Sequence, residues 1–241
     1  MRLSELANPS RFNALAERVL PWLVVATALA FALGLYQALF VAPDDYQQGA
    51  TVKIMFIHVP SAWLGMLGWG LMSIAALGTL VWRHPLADVA MKAAAPIGAA
   101  FTLICLVTGS LWGRPMWGTY WAWDPRLISE LILLFLYVAV MSLRGGFEDA
   151  QRADRASGLL AVVGVVNVPI IHFSVQWWNS LHQGPTIAKL GRPAMPGSML
   201  WPLLSMLLGF MLFYGAVLCL RLRGEVLNRE RQSTWVREAI G

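Results

Sequence analysis

Six long apolar runs dominate the chain, at roughly 20–41, 54–82, 89–112, 127–143, 157–176 and 199–221. Each approaches or exceeds the ~20 mostly apolar residues that a helix needs to cross a bilayer. The connections between them are short, so little chain is left for a separate soluble domain. Composition agrees. The 241 residues are 58% hydrophobic and only 13% charged, where a soluble domain carries roughly a quarter charged residues, and the mean hydropathy is +0.60. The predicted fold class is an all-α membrane protein: six transmembrane helices forming one integral membrane domain over 1–241.

The first run, Leu20 through Val41, exceeds the roughly 7–15 residues of a signal-peptide core and has no clear small-x-small cleavage site after it, so it is expected to stay. Orientation follows from Lys and Arg, which accumulate on the cytoplasmic side. Thirteen basic residues fall at one set of helix ends: Arg2, Arg11, Arg18, Arg83, Lys92, Arg144, Arg152, Arg155, Arg221, Arg223, Arg229, Arg231 and Arg237. Five fall at the other: Lys53, Arg114, Arg126, Lys189 and Arg192. Both termini are therefore expected in the cytoplasm. The net charge of +5 then reports membrane orientation, and a basic tail with the single Trp235 does not make a nucleic-acid patch. Cys105 and Cys219 fall at different depths, which argues against a disulfide. The chain has no C-x-x-C-H haem-attachment motif and no Walker A motif.

With that topology three segments face outward: "APDDYQQGATVK" at 42–53, "GRPMWGTYWAWDPR" at 113–126, and the stretch from Trp177 to about Gly197. Tryptophans are uneven between the two sides. Trp112, Trp117, Trp121, Trp123, Trp177, Trp178 and Trp201 gather outside, whereas Trp22, Trp82 and Trp235 mark the inner side. An aromatic belt populates both interfaces, so it explains any one of these better than it explains four tryptophans between 112 and 123. Trp117 and Trp121 share a face if the segment is helical; Trp121 and Trp123 share one if it is extended. Gly113, Pro115, Gly118 and Pro125 discourage one long element, and a short interfacial segment over 113–126 would offer a flat apolar floor.

Asp124 before Pro125 reads as an N-cap with proline at the first helical position, a role compatible with anchoring the loop. Arg126 and Glu130 are four apart, so Arg126 either pairs along the helix or points outward to an anion. A lone histidine is most often a satisfied polar side chain. His58, in "FIHVPSAW", and His182, in "NSLHQGP", are both placed outside, level with the tryptophan segment. Neutral imidazole is the commonest protein metal ligand and a usual axial ligand of haem iron. A flat macrocycle resting on indoles and held by two imidazoles fits this inventory, with Lys53 and Arg126 as cations for its propionates. A closed zinc site fits poorly, since the outer side has no thiolate and few carboxylates. The fifth run carries Asn167, Pro169 and His172; Asn167 reads as helix-to-helix bonding around a proline kink, and His172 as a packed polar group or a cofactor or proton site.

The stretch "WGTYWAWDPRLISELILLFLYVAVMSLR", with "IHVPSAW", "APIGAAFTLICLVTGSLWGRPMWGTYWAWD" and "GVVNVPIIHFSVQWWNSLHQG" around it, resembles the tryptophan-rich haem-handling proteins of cytochrome c maturation. Among these it is similar to the haem exporter protein C (CcmC) family, from about Tyr46 through Gly184. The resemblance implies haem b held on the periplasmic side of the bacterial inner membrane, with His58 and His182 as axial ligands. It further implies a periplasmic tryptophan-rich loop at 113–126 that supports the macrocycle through Trp117, Trp121 and Trp123, with Asp124 holding the loop. Tyr120 stands where the second tryptophan of an adjacent pair is common, and it keeps a flat ring. The implied partners are the haem chaperone CcmE, the ABC ATPase subunit CcmA, the membrane subunit CcmB and the small single-span subunit CcmD.

Three functional classes follow. A haem delivery subunit, which would not be an enzyme in itself, predicts one outer haem lost with His58 or His182. An intramembrane b-type electron-transfer subunit needs paired histidines within the spans, where His172 stands alone. A purely structural permease subunit predicts a colourless protein.

Overall fold

The computed structural model describes residues 8–84, 86–184, 186–187 and 191–240, so Arg2 and Lys189 of the charge asymmetry lie outside it. All six apolar runs become helices long and apolar enough to cross a membrane. Helix α1 (Pro9–Tyr36) starts where the Asn8 side chain accepts the Ser10 and Arg11 N–H groups, with proline at its first position, and it relaxes into a π-helical turn, Gln37–Val41. A 3-10 turn (Ala50–Ile54) leads into α2 (Met55–Leu80), followed by α3 (Ala87–Trp117) and α4 (Pro125–Gly145). The chain then forms α5 (Ala150–Gly164), α6 (Asn167–Trp177), α7 (Gly197–Arg229) and a short α8 (Thr234–Ile240). Among the described residues the β structure is one isolated bridge, Asp45 with Gly49. The end of the bundle carrying 42–54, 118–124 and 178–196 is termed outer, after the charge asymmetry.

Two of these elements differ from the periodicity reading. The fifth run is two helices rather than one kinked one. Pro169 has no N–H to give to the carbonyl four residues back, and the chain turns at Val165–Val166, with the Val165 N–H on Val162 O at 3.4 Å. The Ala161 carbonyl is then taken by α2, accepting Trp69 Nε1–H at 3.1 Å and Ser73 Oγ–H at 2.8 Å. In the third run the helix runs on through Gly113 and Pro115 to Trp117 and stops at Gly118. There φ is 77°, the left-handed geometry that glycine adopts freely, and the Gly118 N–H closes on Arg114 O at 3.0 Å. Only 118–124 is irregular.

In lipid, apolar side chains gain little by leaving the tails, so helices associate through close packing and buried hydrogen bonds. The inner layer of the bundle has that character. Trp69 and Met72 of α2, Met91 and Ala95 of α3, Leu133 and Tyr137 of α4, and Ala161 and Ile171 beyond form one buried cluster. Tyr137 crosses it and donates to the Gly65 carbonyl at 2.7 Å, with its ring edge-on to Trp69 at 4.8 Å. Asn167 Nδ2 donates to Ser129 O at 2.9 Å, the interhelix bond anticipated for it. Helix α1 stands to one side and packs chiefly on α7. Ion pairs tie the inner ends: Arg144 to Asp154 at 2.7 Å, Lys92 to Glu225 at 2.6 Å and Arg223 to Glu17 at 2.5 Å. Both cysteines are free thiols.

Glycine is required where Tyr137 passes α3. A Cβ on Gly98 would sit 2.0 Å from Tyr137 Oη and 2.2 Å from its Cζ, and a packed aromatic ring has nowhere to move. Overpacking of this kind costs about 1–3 kcal/mol. Gly98→Ala is expected to lower the thermal unfolding midpoint in detergent by several degrees. Gly70→Ala, where a Cβ meets nothing within 4 Å, should leave it unchanged.

Candidate functional site

The outer ends of α2, α3 and α4 meet the loop after α6 around a small enclosed cavity of about 30 Å³, lined by His58, Cys105, Gly109, Arg126, Glu130 and His182 among others. Two residues far apart in sequence thus reach one space.

His58 lies in the first turn of α2. Its Nδ1 is 3.0 Å from the Cys105 carbonyl and 3.2 Å from Thr108 Oγ1. The Thr108 hydroxyl already gives its proton to the carbonyl of Ile104, at 2.6 Å, or Cys105. Both neighbours therefore accept, the proton sits on Nδ1, and Nε2 keeps its lone pair. Gly109 allows this approach, since a Cβ there would be 2.9 Å from His58 Cε1. The Trp112 ring stands edge-on to His58 at 5.7 Å, and its Nε1–H donates to Gln48 Oε1 at 2.7 Å, fastening the first outer segment to the site.

His182 is held by Asp124. Asp124 is the N-cap of α4, as the Asp-Pro pair anticipates, with Oδ1 accepting the Arg126 N–H at 2.9 Å. Its Oδ2 accepts the Leu181 N–H at 2.7 Å, so one carboxylate, 4% exposed, joins a helix start to a loop 57 residues later in the chain. His182 Nδ1 lies 3.4 Å from Asp124 Oδ1, off the direction of a full hydrogen bond and with no other partner among the described residues. Burial acts to raise the Asp124 carboxyl. The Leu181 N–H, the Ser180 side chain, the Arg126 N–H and His182 outweigh it and hold the group below its ordinary value. Burial, helped by the Arg126 cation and opposed by Asp124, brings His182 down from 6.5 to about 4. The imidazole is neutral at physiological pH, the form that can ligate a metal.

The Trp117 ring meets the His182 ring at 4.9 Å and 62°, so of the tryptophan segment it is Trp117 that packs on a residue of the cavity lining. Trp121 and Trp123 pair edge-on at 5.8 Å on the irregular stretch, the extended alternative of the spacing argument. Trp123 is 78% exposed and Tyr120 57%, with the Arg114 guanidinium 5.7 Å over the Tyr120 ring. Lys53 lies apart from the cavity lining: its Nζ is 3.2 Å from both Asp44 Oδ1 and the Leu39 carbonyl. Arg126 lines the cavity without an ion pair to Glu130 among the described residues. The helical pair does not form because Glu130 turns into the bundle. It is 4% exposed, its Oε1 has no hydrogen-bond partner among the described residues, and that oxygen would be 3.5 Å from a Cβ on Gly65. Sequence spacing missed Glu130 as a cavity residue, and it missed Cys105, Thr108 and Gly109 as the setting of His58. A buried acid in an apolar run was the one available signal. His172 sits in α6 against the Phe173 ring at 4.7 Å, away from this lining.

Six membrane-crossing helices with an enclosed, histidine-lined cavity at one end define a multi-pass membrane protein with a candidate ligand site at the membrane surface. Residues 2–237 match the family described as CcmC, heme exporter protein C, and the chain belongs to that family. It is 58% identical to heme exporter protein C of Bradyrhizobium diazoefficiens over 239 residues, 99% of this chain and 90% of that one. It is 45% identical to the Escherichia coli K12 protein of the same name, over 99% and 96% of the two chains. The Rhodobacter capsulatus protein of that name is 41% identical over the full length of both.

The depressed His182 value has a consequence for the loop. With the loop closed the group protonates near pH 4; with the loop open it protonates near 6.5. Between those values the open form binds more protons, so closure weakens as pH falls through the window. Amide exchange of 177–184, corrected for the intrinsic rate, is expected to rise by up to about tenfold per pH unit below 6.5. His182→Gln should remove that dependence.

Proposed function

We propose that this protein holds haem b at the periplasmic face of the bacterial inner membrane, between His58 and His182, and delivers it to a membrane-anchored haem chaperone of the CcmE type during c-type cytochrome maturation. It acts as the haem-binding subunit of an ABC-type complex with CcmA, CcmB and CcmD, and supplies no ATPase itself. Family membership supports a role in haem handling. The observation that carries the specific reading is the convergence of two imidazoles on one cavity, each with Nδ1 turned to an acceptor. Metal-ligating histidines have that second-shell arrangement, which leaves Nε2 for the iron.

The donor set fits haem iron; the enclosed space does not yet fit a macrocycle. A site for a drug-sized ligand occupies roughly 300–1,000 Å³, against about 30 Å³ here. The cargo therefore enters only as the loop carrying His182 moves away from α4. Asp124 governs that movement, since it holds both Leu181 and the start of α4. Trp117 is placed to follow His182, Trp121 and Trp123 to offer apolar ring surface at the rim, and Arg126 to meet a propionate. Tyr120 and Lys53 lie further out and would reach haem only at its exposed edge. The tryptophan-rich rim also suits contact with the chaperone. The alternative of an intramembrane electron-transfer subunit has one histidine deep in a span, His172, and no second imidazole beside it among the described residues.

The test is the visible spectrum of the purified protein after haem is supplied. A Soret band is expected in the parent, with haem affinity falling at least tenfold in both His58→Ala and His182→Ala. Asp124→Ala should cost about 10- to 100-fold through loss of the second-shell partner. A band unchanged in both histidine variants would move the site to His172, and a colourless protein would favour a structural subunit.

A further inference from the structure

On the opposite side of α3 from the histidine cavity, α1, α3 and α7 leave an apolar groove of about 460 Å³ that opens toward the bilayer. Phe31, Phe101, Phe210 and Phe213 line it together with Ala100, and Arg221 lines it nearest the inner end of α7. The Arg221 Nε–H donates to the Ala93 carbonyl at 3.1 Å, which fixes the guanidinium over the opening. Its neighbours are neutralised: Lys92 by Glu225, Arg223 by Glu17 and Arg229 by Asp88. Arg221 meets no carboxylate among the described residues, so its two terminal amino groups face the membrane surface unused by protein acids.

We infer that this groove is a binding site for an anionic phospholipid of the inner leaflet, with one acyl chain along the phenylalanines and the phosphate on Arg221. The dimensions select this occupant. From Phe210 to Arg221 the helix rises about 16 Å at 1.5 Å per residue, close to half of a ~30 Å hydrocarbon core. The groove thus spans one leaflet and ends near the midplane. Beyond it the same face of α7 is covered by the chain's own residues, where Met199, Leu203 and Met206 pack on Ala38, Val52 and Phe56. A partner's transmembrane helix lying along this groove would need the face open across both leaflets, and in the outer one it is closed. The charge agrees: a guanidinium with free paired amino groups matches phosphate geometry, and basic pockets between helices on the cytoplasmic side hold anionic headgroups.

The experiment is native mass spectrometry of the full chain in detergent, given equimolar phosphatidylglycerol and phosphatidylcholine, with Arg221→Gln and Ala100→Trp alongside. The parent is expected to retain phosphatidylglycerol about five-fold over phosphatidylcholine, the effect of one basic side chain at a membrane surface. Arg221→Gln should bring the two to parity. Ala100→Trp fills the groove with Arg221 intact and should lose the bound phosphatidylglycerol while unfolding at the parent's temperature. Parity in the parent, a preference that survives Arg221→Gln, or retention in Ala100→Trp would each overturn the site. Displacement of the lipid by excess haem would also overturn it, by making the groove a route for cargo.

Discussion

A bilayer gives helices no hydrophobic reason to stay together, so this bundle depends on how closely α2, α3 and α4 can approach one another. Tyr137 sets that distance. Its ring passes against the bare backbone of Gly98 and its hydroxyl reaches the Gly65 carbonyl at 2.7 Å. A hydroxyl buried in hydrocarbon without a partner would cost several kcal/mol, so the tyrosine fixes register as well as separation. Everything at the outer end inherits this geometry. His58 begins α2, its acceptors are on α3, and Asp124 begins α4. Were the three helices an ångström further apart, the His58 Nδ1 contact at 3.0 Å would open beyond hydrogen-bonding distance.

The outer site follows a division of labour that the membrane imposes. His58 is rigid, clamped between Gly109, Thr108 and Trp112 on the bundle itself. His182 is on a loop and is positioned through a carboxylate that also caps a helix. One imidazole is thus carried by the packed bundle and the other by a loop tied to it at Asp124 and Trp117 and packed on it through Ile187 and Met195. The Leu181 and Arg126 N–H groups, the Ser180 side chain and His182 keep Asp124 ionised while the loop is shut, against the effect of its burial. Its role therefore extends beyond helix capping.

The six spans and the Asp124 cap were legible because each rests on local chemistry: run length, apolarity, and a residue pair with a defined helical position. Helix ends were less so, because polar turns continue a helix beyond its apolar run: α1 starts at Pro9, α5 at Ala150, and α7 runs on to Arg229. The convergence of His58 and His182 was legible only as a shared side of the membrane, together with a family resemblance. Their common cavity depends on helix packing across 124 residues of chain, which spacing does not encode. The Arg126–Glu130 pairing failed because an i,i+4 rule describes an exposed helix face, and Glu130 is on the buried one. Extending the tryptophan segment's irregular part back to Gly113 failed for the opposite reason. In a membrane, a helix that stops early strands carbonyls in hydrocarbon, so α3 tolerates Gly113 and Pro115 and runs on to a glycine that can cap it.

Glu130 poses the sharpest physical problem in the molecule. A buried carboxylate with one unpartnered oxygen beside a cavity is costly unless something offsets it. Arg126 lies on the same lining but makes no contact ion pair with it, and Cys105, Thr102 and Gly65 fill the other sides. Stability alone does not favour this arrangement, since an apolar residue of similar volume would pack with α2 and α3 without an orphaned oxygen. Glu130 shares the cavity lining with Arg126, His58 and His182. The unsatisfied oxygen therefore belongs to the lining of the outer cavity rather than to the close packing that holds α2, α3 and α4 together.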